Sequence, residues 1–228
     1  MKRLVLWDID QTLIDLRGMG RDWYAKALAE VAGVTMTGMP GYFGRTERAI
    51  TSEVLVAHDI EPTEEMIQKV WATLADLAEQ AIPKMSGRGV ALPGAATALA
   101  AIAARDGLVQ SLVTGNLREV AWHKLLAFDL HTHLDFDLGG YGSLSAHRPD
   151  LVAYAVKLTG ERHGKPDAVI VVGDTPHDVE AALAHDAIAI GVTTGRFDAQ
   201  ALQDAGAHTV LPDLSDTSAV LAAIHSRP

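Results

Sequence analysis

Residues Arg3 to Thr12 read R-L-V-L-W-D-I-D-Q-T, an almost unbroken apolar run that stops at two aspartates, Asp8 and Asp10. A strand with one wet face alternates apolar and polar positions, whereas a strand covered on both faces is apolar throughout, as this one is. Runs of the same kind recur at Val109 to Thr114, Ala168 to Val172 and Ala187 to Val192. Helix-like stretches fall between and after them: Gly94 to Arg105, Leu117 to Ala127, Pro149 to Arg162, Pro176 to His185 and Ala199 to Ala205. Strands alternating with helices predict an α/β protein with a doubly wound parallel sheet.

One block departs from this alternation. From Leu16 to Pro83 no strand pattern is present, only helical segments at Arg21 to Val31, Thr46 to Ala57 and Thr63 to Ala81. The Gly/Pro-containing stretch I-P-K-M-S-G-R-G-V-A-L-P-G, Ile82 to Gly94, reads as the connection back to the sheet. The expectation is a core of residues 1–15 and 84–228 with a helical subdomain, 16–83, inserted over the end of the first strand.

Bulk properties narrow the function. A chain of 228 residues with 48% hydrophobic and 21% charged positions has the makeup of a globular protein. Its formal charge of −10 argues against nucleic acid and anionic membranes as partners, because those surfaces are held by Lys and Arg. With no cysteine there is neither a thiolate metal site nor a cysteine nucleophile. The basic N-terminus M-K-R-L-V-L-W is cut by Asp8 and Asp10, unlike a signal peptide or membrane span, so a soluble cytoplasmic protein is expected.

In open α/β sheets ligands bind beyond the carboxyl ends of the strands. There the sequence places Asp8-Ile-Asp10-Gln-Thr12, Thr114-Gly-Asn116 and Gly173-Asp-Thr-Pro-His-Asp178. Carboxylates gathered at one rim repel one another unless a cation lies among them, and an all-oxygen set suits a hard ion such as magnesium. A phosphate substrate would complete that ion's shell. The Thr114 hydroxyl and the backbone N–H groups of Gly115 and Asn116 are candidate phosphate donors at the start of a helix, and Arg148 is a permanent positive charge set just before Pro149. One aspartate could then attack phosphorus while a second, two residues on, moves the proton.

Taken together, these motifs resemble the haloacid dehalogenase superfamily in its phosphatase branch. The D-x-D-x-T of Asp8, Asp10 and Thr12, the strand-terminal Thr114, the basic Arg148 before a helix and the G-D-x-x-x-D of Gly173, Asp174 and Asp178 occur in family order. The resemblance implies a Rossmann-like core with an inserted all-helical cap. It makes Asp8 nucleophile and Mg2+ ligand, Asp10 general acid/base with its backbone carbonyl on the metal, and Asp174 and Asp178 further metal-site residues. Gly44 to Glu47, G-R-T-E, is similar to the cap segment of phosphoglycolate phosphatase-like members, which makes Arg45 and Glu47 candidate substrate contacts. Gln11 stands where the family usually has Gly, and Arg148 where Lys is commoner; Asp10 argues against dehalogenation.

Other basic residues compete for the third-motif role, among them Lys124, His147 and Lys157. His131 and His133 lie two apart without the spacing of a helical metal site, so a loop is expected there, and Trp23, Tyr24 and Trp71 read as packing residues of the cap. The resulting expectation is a magnesium-dependent phosphatase for a small phosphorylated metabolite, working through an aspartyl-phosphate as a monomer or homodimer. A phosphomutase of the beta-phosphoglucomutase type and a phospho-accepting receiver-like module are the alternatives. Receiver modules are shorter and carry the acceptor on a later strand.

Overall fold

The computed structural model describes residues 2–226. Strand β1 (Arg3–Trp7) is central in a six-stranded sheet, with β4 (Leu108–Thr114) on one side and β6 (Ala168–Gly173) on the other. The sheet continues through β5 (Gly140–Tyr141) beyond β4, and through β7 (Ile188–Val192) and β8 (Thr209–Leu211) beyond β6. Every pairing in it is parallel. All five residues of β1 are buried, which is the reason its sequence shows no alternation. Its two polar side-chain groups are both partnered: the Trp7 indole N–H donates to Gln110 Oε1 at 3.1 Å inside the core, and Arg3 Nη1 donates to Ile224 O at 2.6 Å.

Helices α4 (Ala95–Ala103), α5 (Arg118–Leu126), α6 (Pro149–His163), α7 (Pro176–Leu183), α8 (Ala199–Asp204) and α9 (Thr217–His225) pack around this sheet. The result is the doubly wound, Rossmann-like architecture expected. Pro149 and Pro176 open α6 and α7 in the first turn, where a missing N–H costs nothing. The short strands β5 and β8 and helix α9 are additions that the sequence patterns did not reveal.

Helices α1 (Met19–Ala32), α2 (Glu47–Ala57) and α3 (Glu64–Arg88) form the cap. The hydroxyls of Thr46 and Thr63 cap α2 and α3 by accepting the N–H groups of Ala49 and Met66. The expected connection from Ile82 is corrected: α3 runs through Pro83 to Arg88. Proline removes one helical hydrogen bond, but Ala78, Ala81 and Met85 remain buried on the packed face and carry the helix past it. The chain returns through β3 (Val90–Ala91), which pairs antiparallel with β2 (Ile14–Asp15), so that a small two-stranded ribbon joins cap and core. We propose that the core and cap separate there. Among the described residues no helix is long and apolar enough to cross a membrane.

Candidate active site

Parallel pairing sets Trp7 beside both Leu112 and Val172, so the chain leaves β1, β4 and β6 at one rim. The Asp8 N–H donates to Val172 O at 2.9 Å, fixing the first aspartate at the point where strand order diverges to either side of β1. Asp8, Asp174 and Asp178 are all buried, and one oxygen from each lies within 4.8 Å of the others. The Asp10 side chain is turned away from this trio. It accepts from Lys124 Nζ at 2.8 and 2.6 Å through its two oxygens and from Asn116 Nδ2 at 2.8 Å.

Arg148 bridges the trio. Its Nη2 donates to Asp8 Oδ1 at 2.9 Å and to Asp178 Oδ1 at 2.5 Å, while Nη1 reaches Gly44 O in the cap at 3.2 Å. The sequence competitors are engaged elsewhere: His147 pairs with Asp150, Lys157 with Glu161, and Lys124 with Asp10. Asp178 has a second task, because its Oδ2 accepts the Thr175 N–H and hydroxyl in a capping box that starts α7. Thr114 is fully buried, and its Oγ1 accepts from Asn116 Nδ2 at 2.8 Å, tying the phosphate-loop candidates Thr114, Gly115 and Asn116 to Asp10.

Burial pushes the Asp174 carboxyl up to about 9, with the nearby Asp178 and Asp8 adding to the rise. Burial likewise raises Asp8 to about 7, outweighing the opposing pull of Arg148. Asp174 Oδ2 is buried with no hydrogen-bond partner among the described residues, and a Cβ built on Gly195 would sit 1.8 Å from it. A crowded, desolvated carboxylate set with an orphaned oxygen, pressed against a residue that has no side chain, fits a hard divalent cation in its chemistry. The Arg148 Nε–H is a buried donor equally without an acceptor among the described residues.

The cap closes the other side. Gly44 has φ +69° and touches Thr175 and His177 so closely that a Cβ would lie 2.5 Å from Thr175 Oγ1. Next to it the Glu47 N–H donates to Gly115 O at 2.8 Å and the Arg48 N–H to Gly142 O at 2.9 Å. A cavity of about 190 Å³ lies between the two parts, bordered by Asp8, Asp10, Asp174 and Lys124 below and by Trp23, Phe43 and Glu47 above. Of the two cap candidates, Glu47 is buried, whereas the Arg45 guanidinium turns to Glu53 and to Gly41 O.

Two roles escaped the sequence reading. Lys124 holds Asp10, and its signal was its place eight residues past Asn116, about two helical turns on, along a helix starting at the rim. Tyr24, expected only to pack, also hydrogen-bonds Glu47 through its hydroxyl. Gln11 adopts φ +64°, which explains the usual glycine there; its N–H donates to Ile14 O at 2.7 Å and its carbonyl accepts from Thr194 Oγ1. His131 and His133 lie on a short 3-10 turn.

Fold and site define an α/β protein with a carboxylate-lined cleft between a Rossmann-like core and a helical cap. The family model for haloacid dehalogenase-like hydrolases matches residues 2–186, and the chain belongs to that family. No curated protein matches the chain. Among solved structures, a hydrolase from Pseudomonas syringae is similar at 23% identity, covering 99% of this chain and 100% of its own, with a TM-score of 0.70. CbbY from Rhodobacter sphaeroides in complex with phosphate aligns at 16% identity over 95% of this chain and 96% of its own, TM-score 0.66. A haloacid dehalogenase-like family protein from Streptococcus pneumoniae aligns at 15% identity over 97% of each chain, TM-score 0.61. Identities this low establish shared fold.

Proposed function

We propose that the protein is a magnesium-dependent phosphatase for small phosphate monoesters. The observation that carries this reading is the division of the two first-motif aspartates. Asp8 sits in the buried trio under Arg148, and Asp10 is held apart by Lys124 and Asn116. A carboxylate beside a fixed cation can attack phosphorus, while a second one, held outside the trio, can give up and take back a proton.

An Asp8 oxygen attacks phosphorus and the bond to the ester oxygen breaks; Asp10 gives its proton to the departing alkoxide, leaving an aspartyl-phosphate and the free alcohol. Asp10 then takes a proton from water as the water oxygen attacks the same phosphorus. Inorganic phosphate departs with Asp8 restored. Arg148, Thr114 and the Gly115 and Asn116 backbone would hold the phosphoryl oxygens. Asp8, Asp174 and Asp178, with the Asp10 carbonyl, would hold Mg2+, which supplies positive charge to the phosphoryl group when bound. The cap excludes bulk water during the first step. In its cap segment Gly44 to Glu47 the protein is phosphoglycolate phosphatase-like.

Phosphate release from a panel of esters, with Mg2+ and with EDTA, tests the reading in wild type and Asp8→Asn. Release is expected only from wild type with Mg2+. A wild type that releases none from any ester, yet is stably labelled by acetyl phosphate, would be a phospho-acceptor instead; a requirement for a bisphosphate would point to a mutase.

A further inference from the structure

Glu47 is buried in the cap wall of the cavity that also contains Asp8 and Asp10. Its backbone is hydrogen-bonded to Gly115 in the phosphate loop at 2.8 Å, so its position is set relative to the reacting end of the site. Its side chain ends a buried chain of polar groups. The Trp71 indole N–H, which can only donate, gives to Thr51 Oγ1 at 2.9 Å; Thr51 Oγ1 lies 2.8 Å from the Tyr24 oxygen; and the Tyr24 hydroxyl donates to Glu47 Oε1. Every member donates toward Glu47, which therefore stands as an acceptor. Among the described residues no donor reaches its Oε2.

Glu47 lines the cavity and this oxygen meets no donor from the described residues, so a ligand that displaces water from it has to supply a donor in the water's place. The cations nearby give that oxygen no hydrogen bond, and Lys124 contributes only a pull through space. Lys124 is spent on Asp10 and Arg45 on Glu53, while Arg17 and Arg21 border the cavity from exposed positions where water screens them. Trp23, Met39, Phe43, Ile50 and Leu74 make most of the remaining cap wall apolar.

From this arrangement we infer that Glu47 selects the leaving group: the substrate is a small phosphate monoester whose alcohol carries a hydrogen-bond donor, a hydroxyl or an ammonium, and not a carboxylate. The inference rests on the phosphatase reading. It makes phosphoglycolate itself a poor substrate in spite of the kinship of the cap segment.

The test compares kcat/KM at pH 8, where Glu47 is ionised, for glycerol 3-phosphate, phosphoethanolamine, phosphoglycolate and p-nitrophenyl phosphate in wild type, Glu47→Gln and Tyr24→Phe. Wild type should prefer a donor-bearing ester over phosphoglycolate by roughly 10-fold or more, and the better of the first two identifies hydroxyl or ammonium. In Glu47→Gln the Tyr24 hydroxyl claims the amide oxygen and turns the NH2 toward the ligand, so the preference should swing toward phosphoglycolate by roughly 10-fold. Tyr24→Phe frees that constraint and should blunt the discrimination. A wild-type preference for phosphoglycolate, or a Glu47→Gln variant in which all four esters change in parallel, would overturn the inference. Cleavage of p-nitrophenyl phosphate without donor preference defeats the selectivity alone; no cleavage of any ester defeats the phosphatase reading and the selectivity with it.

Discussion

Lys124 Nζ grips both carboxylate oxygens of Asp10, at 2.8 and 2.6 Å, while also donating to Asn116 Oδ1 at 2.6 Å. The lysine side chain is 7% exposed and the aspartate side chain 44%, so this pair is half in water and its worth lies in orientation more than in stability. It holds the proposed acid/base in one place, clear of the trio around Asp8.

Lys124→Met should therefore lower kcat by roughly 10²-fold, the order of effect of a mispositioned general acid, with a change in thermal midpoint of only a few degrees. Lys124→Arg keeps the charge but not the compact geometry and should recover only part of the rate. Steady-state kinetics beside thermal unfolding checks both; a Met variant with wild-type kcat would remove Lys124 from the site's machinery.

Arg148 presents the opposite case, since it and both of its carboxylate partners are buried. Its removal leaves Asp8 and Asp178 facing each other unpaired, and losing one member of a buried ion pair costs about 3–5 kcal/mol. Arg148→Ala is thus expected to lose turnover and also to melt well below wild type, with Mg2+ restoring part of the loss. Calorimetry with and without the ion is the measurement, and an unchanged midpoint would contradict the buried pairing.

Metal binding should be visible in stability independently of turnover. A ligand at a hundredfold excess over its Kd stabilises by about 2.7 kcal/mol, which for a chain of this size is a shift of roughly 5–10 °C. Adding Mg2+ to EDTA-treated wild type should give a rise of this kind. Asp174→Asn removes a ligand oxygen, and Gly195→Ala places a Cβ where Asp174 Oδ2 now lies, so both should abolish the rise. A full Mg2+ shift in Asp174→Asn would locate the ion elsewhere.

The cap has its own pH signature. Burial raises the Glu47 carboxyl from an ordinary 4.5 to about 7, against the pull of the Tyr24 hydrogen bond and Lys124. With the folded value above the unfolded one, the protonated form is favoured by folding: that stability is complete below about 4.5 and is lost as pH rises through about 7. Wild type should lose more thermal stability between pH 5 and pH 8 than Glu47→Gln, which cannot ionise there. Equal slopes for the two would show that Glu47 is not desolvated.

Much of this protein was legible in the chain because parallel strands covered on both faces leave an unbroken apolar run. Arg3–Trp7 appears with the same bounds in sequence and structure, and Ala168–Gly173 differs from its expected span by one residue. The acidic motifs follow directly from those strand ends, since parallel pairing brings Asp8, Thr114 and Asp174 to one rim whatever the helices do. The ribbon Ile14–Asp15 with Val90–Ala91 and the strand Gly140–Tyr141 stayed hidden, because two residues carry no periodicity. The continuation of α3 past Pro83 was hidden for another reason: local preference opposed it and burial of Ala81 and Met85 prevailed.

Four of the six sheet strands, the helical insertion and the identity of the carboxylates can be read along the chain, because each depends on local pattern and short spacing. How charges are shared follows from the folded arrangement: Lys124 to Asp10, Arg148 to Asp8 and Asp178, and Tyr24 to Glu47 rather than to packing alone. Those partners are separated along the chain by 114, 140, 30 and 23 residues. Electrostatic pairing depends on distance through space and on exclusion of water, and neither is set until the strands and helices that carry the partners have packed together.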